Sequence, residues 1–480
     1  MLLLGIDLGT SSIKASVVDA ATRKTLATVH YPDTETPIMI PRPGWAEQSP
    51  QTWWDHVQGA IQKINASGAF DPKDIGAIGI AYQMHGLVML DKAGQVLRPA
   101  IIWCDSRAVE TGEKALEAIG KGRALNHLLN SPGNFTASKL GWVKANEPEI
   151  YPRAAHIMLP GDYIAYRLTG EMTTSISALS EGIFWDFRED KLSPDVFNYF
   201  GFDKALIPQI KPVFSEHGKL QIKDLGLTPG IPVTYKAGDQ PNNALSLNVL
   251  QPGEVAATAG TSGVIYGVTD ELVYDVESRV NTFAHVNYTK DLKRLGVLLC
   301  INGTGILNRW VRDNIAGGLT YEAINREAAS IPPGSEGLQL FPFGNGAERM
   351  LGNKIPGAAV RGLDLNLHHR AHLFRAAQEG IAFAFRYGLD ILKENGMTPQ
   401  RIRAGMANMF LSPVFTEVFT DITGVPLDMY ESDGSMGAAL GAGIGAGILK
   451  EASPPSIRTV EPNAAQPYEQ YYQKWKHLID

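Results

Sequence analysis

Cysteine is nearly absent from this chain. Two occur in 480 residues, Cys104 and Cys300. They are too few for a disulfide framework or a thiolate metal site, and they suit a reducing compartment. Any block of lysine and arginine is also missing. The 43 basic residues are outnumbered by 50 acidic ones, for a net charge of −7, which removes the phosphate-neutralising footprint of a nucleic-acid binder. No stretch approaches the roughly 20 apolar residues of a membrane helix. The best candidate, Gly437 to Leu449, is short and rich in Gly and Ala, and reads as a closely packed helix. The opening residues Met1 to Asp7 lack the basic n-region of a signal peptide. The expectation is a cytoplasmic protein with neither nucleic-acid nor membrane partners. There is no Gly-x-x-x-x-Gly-Lys-Ser/Thr loop and no dinucleotide fingerprint, so a phosphate grip must be built in another way.

What is present is an ordinary globular balance, 44% hydrophobic and 19% charged, in a chain long enough for several domains. Strand and helix patterns alternate throughout, which predicts an α/β protein. Leu2–Asp7 and Ile13–Val18 are apolar runs around a Gly/Thr/Ser turn. Ser49-Pro50 opens a helix with Trp54, Val57, Ile61 and Ile64 on one face. Ile75–Ile80 and Pro232–Ala237 read as buried strands. Ala371–Lys393 reads as a long helix stopped by Asn395-Gly396, and Ser412-Pro413 opens another. His368, His369 and His372 read as solvated residues leading into that long helix. The tail with Pro454, Pro455 and Pro462 reads as a surface extension ending in an aromatic helix near Tyr468–Trp475.

One echo crosses the chain. A strand, a Gly-Thr-Ser turn and a second strand occur at residues 2–14 and again at 254–267, with the tripeptide at 9–11 and 260–262. A repeat at half the chain length predicts two related domains facing each other. In Asp7-Leu8-Gly9-Thr10-Ser11-Ser12-Ile13-Lys14, backbone N–H groups, three hydroxyls and the Lys14 ammonium form an anion-binding set. Asp7 stands at a strand end, where it could hold Mg²⁺ or its waters. A plain hairpin with polar tips is the alternative. With Gly260-Thr261-Ser262-Gly263 opposite, two such turns could grip one polyphosphate. Asp239 also ends a buried strand, where it serves either as a proton acceptor or as a helix N-cap. Gln83, Met84 and His85 follow a third strand, and their side chains can bond polyol hydroxyls or simply form a turn. Asp105 and Arg107 read as a structural pair.

Taken in order, GIDLGTSSIK, YQMHG, IIWCDSRA, MLPGDYIAYRLTG, AGD, GTSG, FPFGNGAER, GAAVRGLDLNLHHRAHLFRAAQEG and DGSMGAALGAG resemble the FGGY family of carbohydrate kinases over nearly the whole chain. The resemblance implies a two-domain actin/Hsp70-like, ribonuclease-H-like α/β fold with an interdomain cleft. Residues 1–243 would form the sugar side and 244–480 the nucleotide side. It implies ATP and Mg²⁺, with Asp239 as catalytic base and Asp7 as the acidic residue associated with Mg²⁺, through water. Gln83, Met84, His85, Asp239 and Gln240 would contact the sugar. Thr10, Ser11, Ser12, Lys14, Gly260, Thr261, Gly405 and Asn408 would contact the nucleotide. The implied reaction is phosphorylation of a primary hydroxyl, O5 of D-xylulose foremost, with another ketose or a polyol as the alternative. A nucleotide-driven switch of the same fold is the competing class, and a homodimer is what the family suggests.

Overall fold

A computed structural model describes residues 1–452, 456–465 and 467–479. Its frame is one topology used twice. In the first half, β1 (Leu2–Leu8), β2 (Ile13–Asp19), β3 (Thr25–Tyr31), β4 (Ile75–Tyr82) and β5 (Val233–Gly238) form a sheet in the order β5-β4-β1-β2-β3. β1, β2 and β3 pair antiparallel, while β4 and β5 run parallel to β1. In the second half the strands are β6 (Glu254–Ala259), β7 (Gly263–Thr269), β8 (Asn281–Ala284), β9 (Leu295–Ile301), β10 (Arg401–Gly405), β11 (Leu427–Tyr430) and β12 (Arg458–Val460). Their order is β8-β9-β7-β6-β10-β11-β12, so β11-β10-β6-β7-β9 repeats the first sheet and β8 and β12 are added at its edges. The strands on either side of the Gly-Thr-Ser echo are hairpins in both sheets.

Helices cover both sheets, so the inner strands are continuous apolar runs rather than alternating ones. β1 and β4 are buried almost throughout. α1 (Pro50–Asn65) starts where the Ser49 side chain accepts from the Thr52 N–H, and it buries Trp53, Trp54, Val57, Ile61 and Ile64 at helical spacing. α2 (Asp239–Ser246) follows β5. α3 (Arg370–Glu394) and α4 (Pro413–Thr423) pack in the second half, α4 being capped by Ser412 as the sequence suggests.

The Gly/Ala-rich segment becomes α5 (Gly434–Gly445), which follows β11 in sequence but lies on the first sheet. Its composition follows from how closely it approaches. A Cβ added at Gly5 would stand 1.8 Å from the Ser435 carbonyl oxygen, and one at Gly79 would stand 1.9 Å from that of Ala438. No helix among the described residues is long and apolar enough to cross a membrane.

Two expectations need correction. The aromatic helix α6 (Tyr468–His477) is no surface appendage: Tyr468, Tyr472 and Trp475 are buried in the second core. Trp475 stacks on Phe341 at 5.2 Å and donates to the Leu340 carbonyl at 3.0 Å. Apolar area at helical spacing outweighs the proline-rich approach to it; Pro454 and Pro455 themselves lie outside the described residues. His372 is not solvated either. It is buried with Nε2 2.7 Å from Glu336 Oε2, and with His369 it boxes the first turn of α3.

Candidate active site

The carboxyl ends of β1, β4 and β5, adjacent strands of one sheet, carry Asp7, Gln83 and Asp239. That is where ligands sit in open α/β sheets. Asp7 pairs in register with Lys14 across the first hairpin, whose turn is closed by the Gly9 N–H donating to the Ser12 carbonyl at 3.2 Å. Lys14 Nζ lies 2.7 Å from Asp433 Oδ2. Asp433 is the N-cap of α5, accepting from the Met436 N–H at 2.9 Å. The next residue, Gly434, presses on Asp7: a Cβ there would stand 2.1 Å from Asp7 Oδ2. Burial, then the charge of Asp433, raises the Asp7 carboxyl to about 6 against the pull of Lys14.

Asp239 is the first residue of α2, but it does not cap that helix. Gly238 occupies the cap position and makes no side-chain bond. The carboxylate instead takes hydrogen bonds from its own N–H and from the backbone and side chain of Gln240. Burial, then the charge of Asp7, raises it to about 7 against hydrogen bonds from Gln240. A carboxylate poised near neutrality at a cleft floor is suited to accept a proton from a hydroxyl.

The Gln83–His85 block stands alongside. Thr10 donates to Gln83 Oε1 at 3.2 Å and accepts from Trp103 Nε1 at 2.9 Å, so its hydroxyl is tied to this block. Gln83 Nε2 donates to Gln48 Oε1 at 3.2 Å. His85 is left-handed, with φ +62, a conformation that a bulky residue holds only when its surroundings fix it. Three contacts do so. The His85 N–H donates to Glu181 Oε1 at 3.3 Å, Nδ1 lies 3.1 Å from the Glu181 carbonyl, and Lys139 Nζ donates to the His85 carbonyl at 2.8 Å. The ring packs 4.7 Å from Phe135 and 5.5 Å from Phe283. Burial, then the Lys139 charge, holds its pKa at about 3, so the ring is neutral. A carbonyl partner makes Nδ1 the donor and leaves Nε2 as an acceptor.

The second turn opens onto a cavity of ≈ 410 Å³ lined by Gly260, Thr261, Gly305, Asn308, Tyr321 and Asn408, among others. Its backbone is fixed by Thr304, whose hydroxyl donates to the Gly260 carbonyl at 3.0 Å, and by the Gly305 N–H at 2.9 Å from the same oxygen. Gly405 stands close to Ser432, beside the Lys14–Asp433 pair. Ser11 is exposed and Ser12 half-buried at the tip of the first turn. The expected residues therefore fall into two groups on the two sheets, linked through Gly405, Ser432 and Asp433. Asp105 and Arg107 do pair, at 2.7 Å.

Sequence reasoning missed Glu181. It is buried, its Oε2 has no partner among the described residues, and it fills the space a side chain at residue 238 would occupy: a Cβ on Gly238 would be 2.6 Å from it. It ends the short helix Ile176–Glu181, and nothing local in the sequence sets it apart from a surface charge. Asp433 was missed too, although it opens a quoted motif.

Two related α/β halves, with carboxylates at strand ends of the first and glycine turns on both, define a protein of the two-domain actin/Hsp70-like class. The chain matches the FGGY family of carbohydrate kinases, N-terminal domain, over residues 2–246 and C-terminal domain over 255–448. The xylulose kinase of Bacillus subtilis is 29% identical over 497 residues, covering 100% of this chain and 95% of that protein. Solved structures titled as a xyloylose kinase from Brucella ovis (27% identity, TM-score 0.86) and a xylulose kinase from Rhodospirillum rubrum (25%, 0.87) each cover 100% of this chain and 98% of their own. The protein belongs to the FGGY family of carbohydrate kinases and is an ATP-dependent sugar kinase.

Proposed function

We propose that the enzyme transfers the γ-phosphoryl group of ATP to O5 of D-xylulose, with Asp239 accepting the hydroxyl proton. The observation that carries this reading is the grouping of Asp239, at a strand end and raised toward neutrality by burial, with a fixed, neutral His85 whose Nε2 is an acceptor for a sugar hydroxyl. The names of the relatives at 26–29% identity support the ketopentose. Sugar binds in the half spanning residues 1–243, against Gln83, Met84, His85, Asp239 and Gln240. Nucleotide binds mainly in the half spanning 244–480, in the cavity bearing Gly260, Thr261 and Asn408, with Gly405 nearby. Ser11, Ser12 and Lys14 approach its phosphates from the opposite turn, where Thr10 is shared with the sugar block.

Asp7 fits a Mg²⁺ role. It is an oxygen donor in the field of Asp239, on an edge where Gly434 leaves no side chain in the way. A hard cation held by one or two carboxylates plus substrate phosphates is the usual arrangement. When bound, the ion neutralises phosphate charge. The protein itself positions the hydroxyl against Asp239, fixes His85 in one tautomer and holds Lys14 at the phosphate turn.

A coupled ATP-consumption screen across ketopentoses, polyols and 6-deoxy sugars tests the assignment. D-Xylulose should give the largest sugar-dependent rate. A different sugar winning, with none for D-xylulose, would overturn the ketopentose while leaving the kinase. In the same assay Asp239→Ala should lower kcat by at least about 10²-fold, the scale of general-base loss. Near-normal turnover would place the base elsewhere.

A further inference from the structure

Arg349, in the FPFGNGAER segment, has no role in the reading above. It is held in place with unusual care for an arginine without an acid partner. Its Nε donates to the Ser278 carbonyl at 2.7 Å, and Nη1 donates to Asn281 Oδ1. Asn281 is bonded in turn to Asn130 of the first half at 3.1 Å, so the anchor spans the junction of the halves. Nη2 has no hydrogen-bond partner among the described residues, and no carboxylate there forms an ion pair with the guanidinium. The nearby acid Asp275 is occupied by Arg279 at 2.9 Å. Burial pulls Arg349 below the usual arginine range, so its charge is incompletely solvated.

The surroundings place it near His85. Its charge reaches His85 in the first half and Cys300 on β9, and Cys300 also feels Asp239. Phe283, two residues after the anchor Asn281, packs against the His85 ring at 5.5 Å. Arg349 thus stands on the His85 side of the junction between the halves, joined to it through Asn281 and Phe283. A rigid guanidinium with one nitrogen to spare suits an sp² oxygen, a carbonyl or carboxylate, better than a hydroxyl, because it can only donate.

We propose that Arg349 is a specificity residue, its Nη2 donating to a carbonyl oxygen at the end of the substrate remote from the phosphorylated hydroxyl. This rests on the ketose reading above and deepens it: the enzyme selects a ketose over the polyol that differs only by reduction of the carbonyl. Reduction turns that carbon into an alcohol, whose oxygen is both donor and acceptor, and removes the planar match.

The test compares D-xylulose with its two C2-reduced alcohols, xylitol and D-arabitol, in wild type, Arg349→Met and Arg349→Lys. kcat/KM is measured for the ketose, and inhibition constants against it are measured for the alcohols. In Arg349→Met, kcat/KM for the ketose should fall about 30-fold, the scale of one charge-assisted bond. The ketose-to-alcohol selectivity ratio should collapse by at least about tenfold. KM for ATP, sugar-independent ATP hydrolysis and the thermal midpoint should stay near wild type, and Arg349→Lys should recover part of the ketose activity only. An unchanged ratio, whether from equal losses or from no loss, overturns the proposal. A merely structural role would lower all the readouts together. A wild type inactive on D-xylulose would instead overturn the substrate assignment; the same ratio is then measured for the ketose it does phosphorylate and that ketose's reduced alcohols.

Discussion

Replacing Asp239 should make the protein more stable, and the gain should depend on pH in one direction. The Asp239 carboxyl is raised from 3.8 to about 7, first by burial and then by Asp7. In the unfolded chain the group ionises near its ordinary value. Between those two values the folded state holds the extra proton, so stability falls as pH rises through this window, and the penalty is complete above about 7. At about 1.4 kcal/mol per unit, the full penalty is about 4 kcal/mol. Partial solvent contact at the cleft and local relaxation reduce this to roughly 2 kcal/mol. Asp239→Asn removes the charge while keeping the shape. In metal-free buffer its advantage over wild type should be small near pH 5 and grow to about 2 kcal/mol near pH 8, raising the thermal midpoint by a few degrees. The difference between the two proteins reports this group together with its coupling to Asp7. His85, His217 and His285, held neutral by burial at about 3, 2 and 3, push the stability of both in the opposite direction. Thermal unfolding of the pair across that pH range, with kcat measured on the same samples, is the assay. A variant less stable than wild type at pH 8, or a gain that does not vary with pH, would refute the account of Asp239 as a strained, buried carboxylate.

Other outcomes follow from the packing and the two turns. Gly5→Ala places a Cβ 1.8 Å from a backbone oxygen of α5 and should cost about 3 kcal/mol or more, with turnover falling because Asp433 moves with the helix; Tm and kcat check it. Thr261→Val should raise KM for ATP more than KM for sugar, since the turn lines the second-half cavity; an effect confined to sugar would place the turn on the other side of the cleft. Trp475→Ala should destabilise by about 3–5 kcal/mol, with kcat of the folded enzyme nearly unchanged, as chemical denaturation and assays at low temperature would show.

The sequence makes local arrangements legible and leaves contacts between distant segments hidden. Asp7 and Asp239 could be read because each carboxylate ends an apolar run, so the strand and its acid lie within a few residues of each other. The duplicated Gly-Thr-Ser turn predicts the repeated hairpin, and the repeated strand order then follows. Lys14 shows the limit. Its basic charge beside the phosphate turn was visible, but its partner Asp433 was not. The same packing joins Ser16 to Ser435, 419 positions apart, at 2.7 Å. Glu181 and Arg349 were hidden for a similar reason. Each acts on His85 or its chamber from a separate element, and neither has a local pattern that distinguishes it from a surface charge. The left-handed backbone of His85 was equally invisible, because Met-His-Gly gives no sign that the histidine rather than the glycine takes the positive φ.

The hidden contacts also determine which parts of the site are built in advance. α5 belongs to the second half by sequence and to the first sheet by packing. Asn242 of α2 donates to the Gly434 carbonyl at 2.8 Å, and Ser435 is bonded to Ser16 of β2. Asp7, Asp239, Asp433 and Lys14 therefore sit on one packed block of β1, β2, α2 and α5. Their mutual distances, and the fields that raise the Asp7 and Asp239 carboxyls, depend on the glycine contacts within that block rather than on the relation between the halves. Thr261 and Asn408 lie outside it, on the second sheet and its loops. On the function proposed above, Asp239 and Asp7 are thus assembled before any substrate arrives. In that proposal the second half contributes the nucleotide cavity and Arg349. A kinase arranged in the proposed way would gain turnover by bringing phosphate to a finished acceptor site, which would also keep the phosphoryl group from water until both halves are in place.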